Sequence, residues 1–314
     1  MSALKGYIAA EKTENSWNPA DLPGHGPQAR LVFQPMRAPR RLQILKGSDQ
    51  TAMQRACTLA AATLEMVASE IREGMTTAAI DRLVLEFTLD HGAYPAPLNY
   101  PNERTDPREP TISSGAFPRS VCTSVNEVVC HGIPSEKTVL KSGDIVNVDV
   151  TSVLDGFYGD TSKTFLIGEV SDEVRKLVDV AEQSMALGIA EVRPGGTIGD
   201  IGAAIQDFAE RKLGYGVVRE YCGHGIGRVF HADPQIQHTG VRGSGERMVA
   251  GMCFTVEPMI NMGTWRTRPS RDGWTVYTAD GKLSAQFEHT VMVTRDGVEI
   301  LTDPAKVPSS EFAL

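Results

Sequence analysis

No stretch of the chain approaches the roughly 20 consecutive apolar residues that a membrane-spanning helix needs, and no signal-like apolar core follows Met1. Cys-x-x-Cys is absent, and the five cysteines (Cys57, Cys122, Cys130, Cys222 and Cys253) are odd in number. A disulfide framework and a structural zinc site are thereby disfavoured, and a reducing compartment, the cytoplasm, is the expected location. Positive charge is not in excess either. The 31 Lys and Arg against 39 Asp and Glu leave a net charge of −8, which gives no footprint for sequence-specific nucleic acid as a ligand. What is there is ordinary for a globular protein: 314 residues, 41% hydrophobic and 22% charged. Such a length can bury a full-size core.

Three divisions are expected: an N-terminal extension over 1–47, a catalytic body over 48–306 and a short tail over 307–314. The extension carries Pro19, Pro23, Pro27, Pro35 and Pro39, with seven basic residues against three acidic ones. Its simplest role is an arm wrapped on its own domain; docking to an anionic partner is the sharper alternative. In the body, apolar periodicity predicts helices over 49–73, closed by Gly74, and from Thr77 to a stop before Gly92. The layout returns 121 residues later, with a helix from Ser171 to near Pro194-Gly195 and another from Thr197 stopped by Gly214. Gly74, Thr76, Ile80 and Phe87 fall on Gly195, Thr197, Ile201 and Phe208 at that one offset, which reads as an internal duplication of two helices plus strands. Strands are expected at Met252–Glu257 and Ser284–Val293, alternating as if half-buried, with Trp274–Tyr277 leading into the second through a turn at Asp280-Gly281.

Between the halves, residues 145–161 read as a hairpin turned at Asp155-Gly156. That turn pairs Leu154 with Phe157 and Thr151 with Asp160, so Asp149 and Asp160 share a face as diagonal neighbours roughly 7–8 Å apart. Val146, Val148 and Val150 take the other face. A lone strand Asp is usually a solvated edge. Two carboxylates aimed at one point repel unless a cation or a shared proton lies between them. Glu257 and Glu288 sit where the pattern predicts a covered sheet, and a buried carboxylate needs a partner. His224 lies in Tyr221-Cys222-Gly223-His224-Gly225-Ile226-Gly227, which has the wrong glycine spacing for a dinucleotide loop. His231 and His131 complete the set, and either alone would more often be structural. Four carboxylates and one imidazole are a hard, oxygen-rich set suited to two divalent ions roughly 3.5–4 Å apart. Manganese, iron, cobalt and zinc all tolerate it.

Taken together, Ser120 to Pro134, the Asn147–Thr161 hairpin, Gly223 to Gly227, Phe254 to Pro258 and Leu283 to Thr290 resemble the type I methionine aminopeptidases over about residues 50–305. The resemblance implies an α+β pita-bread fold, a curved antiparallel sheet flanked by pseudo-twofold helix pairs. By it, Asp149, Asp160, His224, Glu257 and Glu288 ligate two metal ions. Glu257 also moves a proton to the leaving amine, His231 stabilises the oxyanion, and His131 contacts the scissile amide nitrogen. Tyr100, Phe117, Cys122, Cys130, Phe230 and Trp274 would line a methionine slot, and Asn126, Val128 and Ser284 would hold a sodium or potassium ion. The implied substrates are peptides and nascent chains with a small second residue, acted on by a monomer, with the basic arm a candidate for docking to the ribosome. One departure stands out: sixteen residues, Pro101 to Ala116, separate Tyr100 from Phe117 where the family has few. They are expected to form a flap beside the pocket. The nearest rivals are Xaa-Pro peptidases of the same fold, which carry a longer preceding domain than 47 residues, and a non-catalytic module, which would have lost ligands.

Overall fold

The structure, a computed structural model, describes residues 42–101 and 112–308. The chain opens with α1 (Ser48–Glu70) and α2 (Thr77–Asp90) and then β1 (Tyr94–Pro95), β2 (Cys122–Val125) and β3 (Val128–Cys130). The long hairpin β4 (Ile145–Leu154) and β5 (Phe157–Leu166) follows, then α3 (Asp172–Ala190) and α4 (Ile198–Gln206). The second half runs through β6 (Gly216–Val217), β7 (Gly223–Gly225), β8 (Ala232–Ile236), β9 (Cys253–Val256) and β10 (Met259–Asn261). It closes with β11 (Thr267–Pro269), β12 (Val276–Thr278), β13 (Ser284–Gln286), β14 (Glu288–Val293) and β15 (Val298–Ile300).

The hairpin has the expected register. Asp155 and Gly156 both have positive φ, 52° and 77°, as a two-residue turn that follows strand twist requires. Thr151 therefore faces Asp160, and Asp149 faces Ser162. This hairpin is the middle of a nine-stranded antiparallel sheet ordered β1-β4-β5-β14-β9-β7-β8, with β2 added on β4 and β15 on β14. Two three-stranded sheets, β13-β10-β6 and β11-β12-β3, flank it.

Side-chain alternation assigns the two faces of the large sheet. Val146, Val148 and Val150 pack with Leu64, Val67, Ile80 and Val84 of α1 and α2. Phe254, Val256, Val291 and Val293 pack with Leu177, Ala181, Ile201 and Ile205 of α3 and α4. Asp149, Asp160, Glu257 and Glu288 are out of phase with those residues and so project from the face opposite the helices.

The duplication is visible in the backbone. Gly74 and Gly195 have φ of 81° and 84°. Thr76 and Thr197 are the N-caps of α2 and α4, and Ile80 and Ile201 are fully buried. Each N-cap also bridges a distant loop, Thr76 to Val139 and Thr197 to Arg247. Gly74 N–H donates to Leu140 O, and Gly195 N–H donates to Met248 O, both at 2.8 Å.

Some expectations need correction. The first helix ends at Glu70, three residues early, because Ile71 turns extended to let its neighbours bond the loop around Leu140. After Gln206 the last helix widens into a π-helical turn over Asp207–Lys212. The segment 284–293 is broken at Phe287, with β13 and β14 in different sheets, and β12 pairs β3 and β11 rather than β13. β9 and β13 are buried along their whole length rather than half-buried, β9 lying inside the large sheet and β13 between α3 and the strands β3, β4 and β5. Residues 42–47 lie on the body: Ile44 bridges Met252, Leu45 N–H donates to Gly251 O at 2.8 Å, and the Leu45 side chain is buried.

Candidate metal centre and substrate pocket

The two halves meet at the carboxylates. Asp160 comes from β5, His224 from β7 and Glu288 from β14, and one ligand atom of each lies within 4.8 Å of the other two. His224 Nε2 stands 3.6 Å from Asp160 Oδ2 and 3.6 Å from Glu257 Oε1. Asp149 lines the same cavity. All five ligands expected from the sequence are thus gathered on one face, four of them linked by these distances.

The orientation of each group has a cause. His224 Nδ1 lies 3.2 Å from the carbonyl oxygen of Gly225, which can only accept, so Nδ1 carries a proton and Nε2 is the nitrogen turned toward the carboxylates, free to ligate a cation set between them. The glycines beside His224 let strands close in: a Cβ at Gly223 would lie 2.3 Å from Thr255 O, and one at Gly225 2.2 Å from Asp233 O. Thr255 couples two members of the set. Its hydroxyl accepts from the His224 N–H at 3.0 Å and donates to Glu257 Oε1 at 2.7 Å. Gln286 Nε2 donates to Glu257 Oε2 at 3.2 Å, and the Thr151 hydroxyl donates to Asp160 Oδ1 at 2.7 Å. The Glu257 N–H donates to His238 Nε2 at 3.2 Å.

Electrostatics make the cluster costly without a cation. Burial, then the charges of Asp160 and Glu257, hold the Asp149 carboxyl well above the usual carboxylate range. Glu288 is raised in the same way, by burial and then by Asp160, Glu257 and Asp149. Glu257 is pushed up to about 7 by burial, which with the charge of Asp160 outweighs the opposing pull of His224. Burial works against a proton on His224, yet Asp160 and Glu257 prevail and raise its pKa. Glu288 Oε1 is buried with no hydrogen-bond partner among the described residues. An orphaned carboxylate oxygen beside three further acids and an imidazole lone pair is the donor set of a divalent-metal site.

Around the carboxylates lies a cavity of about 290 Å³ whose apolar wall includes Tyr100, Phe117, Cys122, Cys130, Phe230 and Trp274. Tyr100 and Phe117 meet Trp274 edge-on at 6.3 and 5.4 Å, and Phe230 stacks on Tyr158 at 5.5 Å. His131, with φ of 55°, is pushed down to about 4 by burial. His231 keeps an edge open to the cavity, but burial, His224 and His131 hold its pKa well below the usual range. Both rings are neutral near pH 7. The two ends of the sixteen-residue insertion are tied at the cavity wall: Asn99 N–H donates to Phe117 O, and Phe117 N–H to Tyr100 O, each at 2.8 Å. The flap expected there falls mostly on 102–111, outside the described residues.

Of the residues grouped as a monovalent-cation site, Asn126 O accepts from Ser284 N–H at 2.9 Å, Ser284 Oγ is buried without a partner, and Val128 opens β3. Sequence reading missed Thr255, Gln286 and His238. Thr255 sits two residues before Glu257 along one extended segment, which was a usable signal; Gln286 is cut off from Glu288 by the break at Phe287 and gave none. His238 had none.

A profile of metallopeptidase family M24 matches residues 51–295. Methionine aminopeptidase A of Synechocystis sp. is 51% identical over 261 residues, 83% of this chain and 97% of that protein. The methionine aminopeptidase of Rickettsia prowazekii is 49% identical over 262 residues, 83% of this chain and 95% of its own length. The crystal structure of the Rickettsia enzyme superposes with a TM-score of 0.77, covering 83% of this chain and all of that one. Prolidase from Pyrococcus furiosus, at 19% identity and a TM-score of 0.62, shares the fold alone. A family profile spanning most of the chain, and relatives about half identical along nearly their whole length, agree with the pita-bread architecture and the gathered carboxylates and imidazole: the chain belongs to metallopeptidase family M24, among the methionine aminopeptidases, and is a hydrolase.

Proposed function

We propose that the chain removes N-terminal methionine from peptides and nascent polypeptides whose second residue is small, with two divalent ions held by Asp149, Asp160, His224, Glu257 and Glu288. The observation that carries this reading is the buried convergence of Asp160, His224 and Glu288, with Glu257 3.6 Å from His224, beside an apolar cavity. Bound there, divalent ions would supply Lewis acidity for the scissile carbonyl and for a water near neutral pH.

The remaining work falls to the chain. Glu257 takes a proton and returns it to the leaving amine; Thr255 holds its Oε1 and Gln286 its Oε2, so the carboxylate stays fixed as charge moves. His231 donates to the developing oxyanion, and His131 contacts the scissile amide nitrogen. Tyr100, Phe117, Cys122, Cys130, Phe230 and Trp274 receive the methionine side chain, with sulfur–aromatic contacts adding to burial. Asn126, Val128 and Ser284 hold a sodium or potassium ion. The catalytic unit is the body over 48–306, acting as a monomer in the cytoplasm, and the basic 1–47 extension is the part available for docking to the ribosome. No described helix is long and apolar enough to cross a membrane.

Purified protein supplied with manganese or cobalt is expected to cleave a Met-Ala peptide and leave Xaa-Pro peptides intact. Glu257→Gln should lower that turnover by about 10²–10⁴-fold. Preference for Xaa-Pro, or full turnover by the variant, overturns the reading. Metal analysis of protein isolated without added ions tests the count, with two per chain expected.

A further inference from the structure

Two imidazoles stand side by side at the cavity, His224 and His231, with ring centroids 4.3 Å apart. Their second nitrogens meet opposite kinds of group. His224 Nδ1 faces a carbonyl, which forces the proton onto that nitrogen. His231 Nδ1 faces the Tyr100 hydroxyl at 3.0 Å. We propose that Tyr100 is a positioning residue that selects the tautomer of His231, its hydroxyl donating to Nδ1 so that the single ring proton lies on Nε2 and is offered to the substrate carbonyl. This deepens the peptidase reading, on which the role of the Nε2 proton rests.

The direction of the bond follows from the two groups. A phenolic O–H is a much stronger donor than an imidazole N–H, and an imidazole nitrogen is a much stronger acceptor than a phenolic oxygen. The bond is therefore strongest as O–H to nitrogen. Packing fixes the partners in that arrangement. His231 stacks on Phe230 at 4.0 Å with the rings 24° apart, and Tyr100 meets Phe230 edge-on at 5.5 Å and His231 at 5.2 Å. Flipping the imidazole would turn a carbon toward the hydroxyl and forfeit the bond. Neighbouring histidines are thus set in opposite tautomers, one to present a lone pair and one to present a proton.

The consequence for the chain is that Tyr100 does more than line the cavity. It stands directly before the sixteen-residue insertion, and Phe117, directly after it, donates its N–H to Tyr100 O at 2.8 Å. The residue that sets the tautomer of His231 therefore flanks the insertion, held there by the backbone bond from Phe117.

The test is Tyr100→Phe in the full-length, zinc-loaded protein, since it keeps the ring and its edge contacts. Long-range ¹H–¹⁵N NMR of the imidazoles, with His231 assigned by its loss in His231→Gln, reads the tautomer directly. The wild type is expected to carry the proton on Nε2, and the variant to shift toward Nδ1. On a Met-Ala peptide kcat should fall about tenfold with KM changed less than about twofold, and zinc affinity by calorimetry should be unchanged. A wild-type ring protonated on Nδ1, or a variant whose tautomer does not move, overturns the proposal. Failure of the wild type to cleave Met-Ala would sink the peptidase reading while the NMR result still decides the tautomer.

Discussion

Asp81 shows how far a single side chain can be set against water. It lies on α2, only 6% exposed, and accepts from the Ser120 N–H at 2.7 Å with the Arg119 guanidinium 3.6 Å away. Burial dominates these partners and raises its pKa from 3.8 to about 6. The folded state therefore holds the proton more tightly than the unfolded chain does. This contribution to stability is fully present below about pH 4, is lost as pH rises through about 6, and amounts to about 3 kcal/mol at most. Asp81→Asn keeps an acceptor for Ser120 and removes the titration. Urea unfolding from pH 4 to pH 8 should show the variant gaining on the wild type as pH rises, and parallel curves would contradict this account. The residues around Glu257 follow the same logic of enclosure: with Thr255, Gln286 and His238 each bonded to it, none of its polar groups is left to choose its own geometry.

Contacts between elements place the clustered carboxylates as firmly as side chains do. Gly159, the residue before Asp160, lies where β5 presses on α1, and a Cβ there would stand 2.3 Å from Ala56 O. Gly159→Ala forces the helix off the strand. Overpacking of this kind costs about 1–3 kcal/mol, and because Asp160 is the next residue the damage should reach the metal site. Thermal unfolding should show the loss of stability, and calorimetric titration with manganese should show weakened binding. Unchanged metal affinity in a destabilised variant would mean that the strand moves as a unit and the helix yields alone.

For the molecule as a whole, the division between extension and body runs through a packed segment. Leu45 is buried among Met53, Ile226, Cys253 and Met292, so it joins the first half of the chain to the second. The Gln43 side chain adds to that closure by accepting from the Arg228 N–H at 3.2 Å. Leu45→Ala should cost about 2–5 kcal/mol through lost burial and the cavity left behind, read as a lower urea midpoint with the pocket ligands untouched. A cost under about 0.5 kcal/mol, typical of surface sites, would place the strap outside the cooperative unit.

The hairpin register was legible from residues alone, because an Asp-Gly turn with both residues at positive φ leaves one way to pair the strands, and that put Asp149 and Asp160 side by side. The duplicated helix pairs were legible too, since glycine stops, threonine caps and buried isoleucines recur at one spacing. Such features are local, and the physics that sets them acts over a few residues. The break at Phe287, the burial of β9 and β13 along their whole length, and the bond from Glu257 to His238 were not legible. Nor was the opposite tautomer setting of His224 and His231. Each depends on which distant strand or ring arrives beside the residue, and that proximity exists only once the two halves have closed on one another.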